Sequence, residues 1–515
     1  MTEIFSPEER AALTPYVTNM DGSIFALRNL PEEVVAVLFA YYSRSKDSLR
    51  RNLLKLLQEG DLDLTGAGGA APALDETDGD ALAAARQKAR TFHEKWVVGY
   101  GHSSVAEHGC VHLAIEDVSI IASKLIEDGR LASYTEKSTR YVAFDIHKMY
   151  VPPALSQHPE LAEEYRGTLA ALLSAYSGWT DDIVAQIKSR VPKTEKQTDR
   201  GYDSACRASA FDILRYLLPA ATYTNIGLTL NARSLETLIT KLLSQPLPEG
   251  RAIGERLKSE AQHIVPTLLK YADHSAYREE TEKSVAAIAA ELGFDTLEQA
   301  PLRSGVTLID ADPDADDRLV AAILYGAVDA PMSQVLPKVK SLDQETKERI
   351  VDVYLKGRGK HDAPGRALER IDCTVEITMD YGAYRDVQRH RIATQTTQAL
   401  SPALGYETPP EITRFGYADQ YDALMGRAAA TYARMVAAGL VDEAQYILPL
   451  GTRVRALFTW NLRSVTHFVE LRSARQGHPS YRKIAQQVYT AVAEAYPLVA
   501  RYLRPNMNEY ALTRD

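Results

Sequence analysis

Two stretches of this chain carry the side chains best suited to chemistry. In the first, Tyr384 to Tyr406, Arg389, His390 and Arg391 stand directly before a polar, hydroxyl-rich turn. In the second, Ile126 to Phe144, Arg130 is followed by Ser133, Glu136, Ser138, Arg140 and Tyr141. Guanidinium groups bind phosphate oxygens in pairs and keep their proton, so both stretches suit an anionic, phosphate-bearing ligand. Glu136, Ser138 and Arg140 lie at i, i+2 and i+4, a spacing that turns them to one side of an extended loop. The alternatives are a capping serine beside a surface Glu/Arg pair, and for the triplet a solvated face or an RNA contact. A third pattern occurs twice: Asn231-x-Arg233-Ser234 and Asn461-x-Arg463-Ser464 each open a helical run, where unsatisfied backbone N–H groups add to anion affinity.

The two arginine stretches align with each other, Arg130-Leu-Ala-Ser133 against Arg391-Ile-Ala-Thr394, and we read the chain as two copies of one unit. Together they resemble the signature of the flavin-dependent thymidylate synthases, RHR-x-x-S-x-N-E-x-S-x-R-Y. The C-terminal copy keeps Arg389, His390 and Arg391 but has Thr394, Thr396, Thr397, Ala399 and Ser401 at later family positions. The N-terminal copy has Asp128, Gly129 and Thr135 where the family has Arg, His and Asn, and keeps Arg130, Ser133, Glu136, Ser138, Arg140 and Tyr141. Gly101, His102, Ser104, Glu107 and His108 match a further family segment, of which only Glu369 survives in the second copy. Arg215 matches a nucleotide-contacting arginine that Gln445 replaces in the second copy. Arg472 matches one that is Leu242 in the first.

The resemblance implies FAD, held by Arg389, His390, Arg391, Asn461, Arg463, Glu369, Ser104 and Glu107. It implies dUMP, held by Glu136, Ser138, Arg140, Arg215 and Arg472, with Ser138, Arg140 and His102 as candidate catalytic groups. The implied reaction methylates dUMP reductively, with methylenetetrahydrofolate and NADPH as co-substrates. Apart from the resemblance, His102 and His108 read equally as a capping or core hydrogen-bond pair. The runner-up is a flavin reaction on another uridine nucleotide, and a third reading is a non-catalytic flavin- or nucleotide-binding protein. Because each copy lacks what the other keeps, we expect one composite pocket shared between them. Family sites form between subunits, so a pseudo-dimeric monomer or a homodimer of such chains is expected.

The 515 residues carry 59 basic and 68 acidic side chains, a net charge of −9, which disfavours general nucleic-acid binding. No apolar run approaches a membrane span, and the N-terminus lacks the basic flank and apolar core of a signal peptide, so a cytoplasmic protein is expected. Cys110, Cys206 and Cys373 have no metal or disulfide spacing.

The elements that must position these residues read as α+β: in each copy a small antiparallel sheet flanked by helices, the copies related by a pseudo-twofold and divided as 1–300 and 301–515. Helices are expected after Pro31, over Ser48–Leu57 and over Val118–Ile126, with a loop at 65–80. Alternating Val111, Leu113 and Ile115 predict a strand, as do Val306–Ile309 and Thr374–Met379. Residues 151–215 read as helical around an exposed insertion at Val191–Asp203, Pro246–Ala276 as one helical segment, and Arg318–Val328 as a helix.

Overall fold

The computed structural model describes residues 4–42, 45–58, 103–145, 147–298 and 303–510. His102 and the 65–80 loop lie outside them. Seven strands occur among the described residues: β1 (Cys110–Ser119), β2 (Ser133–Glu136), β3 (Tyr223–Asn231), β4 (Gly305–Ala311), β5 (Asp372–Asp380), β6 (Thr394–Thr397) and β7 (Arg453–Asn461). They form two sheets, ordered β1-β3-β2 and β4-β5-β7-β6. The pairs β2–β3, β4–β5, β5–β7 and β6–β7 are antiparallel. The class is α+β, as the sequence suggests. By packing, one unit comprises 1–116, 131–136 and 225–292, and the other 117–130, 137–224 and 293–515. These packing units differ from the sequence halves.

The same local chemistry builds corresponding elements in both halves. In β3, Thr224, Ile226, Leu228 and Leu230 point inward, and in β7 Val454, Ala456, Phe458 and Trp460 do, the period of two that a half-buried strand requires. Each strand ends in an asparagine that caps the next helix. Asn231 Oδ1 accepts from the Ser234 amide at 2.8 Å to open Ala232–Leu243, and Asn461 Oδ1 from Ser464 at 2.9 Å to open Leu462–Arg472. Ser119 likewise caps Ile120–Ile126, and Asp380 caps Tyr381–Val387.

Four expectations change. The helix after β1 begins at Ile120, since Val118 and Ser119 still belong to the strand. Pro246–Ala276 is not one helix: Pro248–Ala261 stops five residues before Pro266, whose ring disfavours helical backbone just ahead of it, and a separate helix runs Ala276–Glu291. The insertion Val191–Asp203 is a loop only to residue 198, where Thr198 accepts from the Gly201 amide and starts the helix Asp199–Leu214. The helix at 318 in fact begins at Ala315.

Inside the larger unit, residues 216–221 and 446–451 pair antiparallel through the Pro219–Pro449 bridge. Their bonds are reciprocal: Ala220 N donates to Leu448 O at 2.9 Å and Leu450 N to Leu218 O at 2.9 Å. Ala221 N donates to Tyr446 O at 2.9 Å and Gly451 N to Tyr216 O at 3.0 Å. Close approach is what Gly451 permits. A Cβ there would lie 2.5 Å from the Tyr421 hydroxyl, which is itself bonded to Glu407 O at 2.7 Å. Gly451→Ala should therefore cost about 1–3 kcal/mol of stability by overpacking. An unchanged urea midpoint would show that this seam tolerates a side chain.

Candidate functional site

A cavity of about 550 Å³ opens in the larger unit. Three elements line it. The loop after Tyr381–Val387 supplies Arg389, His390 and Arg391; the helix Leu462–Arg472 supplies Arg463, Ser464, His467, Glu470 and Arg472, with Asn461 at its cap; residues 358–364 and Glu369 close the remaining side. Arg130 joins them from the N-terminal half. Thus Arg389, His390, Arg391, Asn461, Arg463 and Glu369, singled out for the flavin, and Arg472, singled out for the nucleotide, line one cavity.

Arg130, Arg391, Arg463 and Arg472 are held in place there. Arg463 Nη1 donates to Glu369 at 2.7 Å and its Nε to the Pro364 carbonyl at 2.9 Å. Arg366 also reaches Glu369 at 2.9 Å, and this bond, together with Arg463, holds the carboxyl below its usual range. The two halves cross at the arginine loops. Arg391 donates to Gly129 O at 2.9 Å, and Arg130 to Ala393 O at 2.8 Å. His390 Nε2 accepts from Arg472 Nε at 2.8 Å, and the ring meets Phe468 edge-on at 4.9 Å. Burial, with the charge of Arg472 beside it, pushes its pKa well below the usual histidine value, so it is a neutral acceptor at physiological pH.

Behind this wall lies an arginine–carboxylate cluster. Asp386 sits 3.7 Å from Arg472 Nη1 and 3.5 Å from Arg215 Nη1. Burial alone would raise the Asp386 carboxyl; Arg215, Arg389, Arg472 and Arg140 overcome it and hold the group below its usual range. Arg215 is 2% exposed, and its Nε and Nη2 have no hydrogen-bond partner. Arg140 is bound by Asp212 through Nε at 2.8 Å and Nη2 at 3.2 Å, and donates to the Tyr481 hydroxyl at 2.9 Å and the Gln476 carbonyl at 3.1 Å. Burial lowers the Arg140 pKa, but Asp212 reverses this and raises it overall. Arg140 and Arg472 both lie over the Tyr481 ring, at 5.7 and 5.4 Å.

Arg140 and Ser138 do not line the 550 Å³ cavity. Ser138 Oγ accepts from the Arg140 amide at 3.2 Å. Ser104, Glu107 and Glu136 belong to the other packing unit, where Glu107 pairs with Arg233 as Glu369 does with Arg463. Sequence reasoning missed Asp386 and Asp212, although each stands three residues before a singled-out arginine, Arg389 and Arg215. It also missed Arg130 as a cavity residue. Among the described residues no group of three or more His, Cys, Asp or Glu side chains is placed to hold a metal, and no helix is long and apolar enough to cross a membrane.

Comparison with known proteins gives this geometry its context. A family model described as thymidylate synthase complementing protein, Thy1, matches residues 68–267 and again 307–498. A UPF0159 protein of Chlamydia muridarum is 34% identical over 515 residues, covering 97% of this chain and 95% of that protein. One from Thermoplasma acidophilum is 29% identical over 468 residues, covering 83% and 91%. A flavin-dependent thymidylate synthase of Saccharolobus solfataricus is 30% identical over 185 residues, 35% of this chain and 60% of that enzyme. Matched twice along most of its length, the chain belongs to the thymidylate synthase complementing protein family.

Proposed function

We propose that this protein is a flavin-dependent enzyme acting on a uridine nucleotide, with reductive methylation of dUMP by methylenetetrahydrofolate as its reaction. The observation that carries this reading is the convergence of Arg130, Arg389, Arg391, Arg463 and Arg472 on one cavity of about 550 Å³. The donor set fits a dinucleotide's pyrophosphate, since planar guanidinium groups and the opening of the helix at Asn461 offer paired donors to phosphate oxygens. A bound flavin would supply hydride chemistry, with NADPH as electron source. The chain's own part is to fix and orient. Arg389, Arg391 and Arg463 hold phosphate, Asn461 fixes the start of the helix that carries Arg463, and neutral His390 holds Arg472 against the cavity wall.

In this reading the halves are tandem copies related by a local twofold, which the reciprocal bonds between 216–221 and 446–451 support. The repeat boundary lies near residue 300, and the chain works in the cytoplasm as a monomer or a dimer. Light scattering on the purified chain should give one or two chains per particle; a tetramer of full-length chains would rule this assembly out.

A second reading has an observation of its own. Arg140 has both Nε and Nη2 committed to Asp212, and Ala399, Ser401, Gln445 and Leu242 stand where the family has other groups. That favours a flavin reaction on a uridine nucleotide other than dUMP.

Two measurements test these readings. Arg389→Ala with Arg391→Ala removes two charge-assisted contacts at about 1.5–3 kcal/mol each, so FAD affinity, followed by flavin absorbance, should fall about a hundredfold or more. FAD binding equal to the parent's would mean the flavin lies elsewhere. With C5-tritiated dUMP, NADPH and the folate, tritium release should require all components. Nucleotide-stimulated NADPH oxidation without tritium release would select the second reading, and binding of neither flavin nor nucleotide would exclude both.

A further inference from the structure

Asp386 is matched to no role by the sequence, does not line the 550 Å³ cavity, and yet is the point on which the arginine cluster closes. On one side, Arg472 lies 3.7 Å away. Arg472 is at once bonded to His390 Nε2 at 2.8 Å, stacked near Tyr481, and part of the cavity wall. On the same side, Arg389 projects exposed into the cavity three residues further along the chain. On the other side, 3.5 Å away, is Arg215, 2% exposed and with two of its three nitrogens lacking hydrogen-bond partners. An arginine so enclosed offers its fork to no ligand, because neither Nε nor Nη2 reaches solvent. Gly382 adds to the enclosure, since a Cβ there would come within 3.3 Å of both nitrogens.

A largely enclosed carboxylate such as Asp386, 14% exposed, stays ionised while counter-charges oppose its desolvation. Arg215 is the counter-charge from behind, and Arg140 contributes from beside Tyr481. We propose that Asp386 is a positioning residue that holds Arg472 and Arg389 toward the cavity, and that Arg215 acts on ligand affinity only through Asp386. The chain of contacts runs Arg215 to Asp386 to Arg472, and the charge of Arg389 acts on the same carboxylate. This moves Arg215 from nucleotide contact to support. It deepens the proposed function and rests on it only in treating the cavity as a phosphate site.

The discriminating feature is sign. If Asp386 were just a negative charge near an anion site, neutralising it would tighten anion binding. As an anchor, its loss frees Arg472 and Arg389 and weakens binding although the site becomes more positive. The probe is inorganic pyrophosphate, titrated calorimetrically into full-length protein, with thermal unfolding recorded alongside. Asp386→Asn should weaken pyrophosphate binding about tenfold, Arg215→Met should do the same, and the double variant should lose no more than either alone, because contacting groups in one relay are not additive. Binding by Asp386→Asn equal to or tighter than the parent's overturns the proposal, as do losses that add in the double variant. Should Asp386→Asn fail to fold, Asp386→Glu keeps the charge and shifts it by one methylene, and unchanged binding by that variant overturns the anchor equally. A parent that binds pyrophosphate but not FAD removes the flavin reading and leaves this one standing; a parent that binds no pyrophosphate removes both.

Discussion

Placing several arginines out of water within one unit demands counter-charge at short range. Asp212 and Asp386 supply it for Arg140, Arg215 and Arg472, with Asp380 also near Arg215. A guanidinium left alone in such a place costs several kcal/mol, whereas one met by a carboxylate in good geometry is tolerated. Asp212 takes Arg140 with two bonds, and Asp386 stands between Arg215 and Arg472. The turn at 473–478 follows from the same pairing, because Arg140, once oriented by Asp212, reaches Gln476 O and the Tyr481 hydroxyl. Of the cavity arginines, Arg472 thus faces a carboxylate, Asp386, that does not itself line the cavity.

Local chemistry was readable where it depends on neighbours in the chain. The strands β1 and β5 and the helix starts at Asn231 and Asn461 follow from local pattern. The carboxylates escaped notice because their partners are not the near ones. Asp212 precedes Arg215 by three residues and Asp386 precedes Arg389 by three, so one helical turn suggests local pairs. The chain instead crosses them: Asp212 binds Arg140, 72 residues away, and Asp386 meets Arg215, 171 residues away. No periodicity encodes such a pairing.

The segment read as an insertion shows the same limit. Its exposed loop is confined to residues 191–198, and the helix that follows, Asp199–Leu214, delivers Asp212 to Arg140 and leads directly into Arg215. Length differences between the halves, 101 residues from Arg130 to Asn231 against 70 from Arg391 to Asn461, located the extra chain. They carried no information on which of its side chains turn inward.

On the tandem reading, fusion removes a constraint that a symmetric dimer imposes. In a dimer of identical chains each position serves both symmetry-related places, so a group needed at one is present at the other. In a fused chain the two places are separate positions and can diverge. Arg472 and Leu242 are the clearest pair. Arg472 is bound to His390 and faces Asp386, whereas Leu242 is fully buried and packs closely against Gly254, where a Cβ would lie 3.1 Å from the Leu242 Cβ. An arginine at 242 would be desolvated against that close helix contact, at a cost of several kcal/mol by either burial or overpacking. Packing at Leu242 thus opposes a second arginine cluster in the N-terminal half. Arg130, Arg140 and Arg215 of that half belong instead to the larger packing unit, alongside Arg389, Arg391 and Arg472.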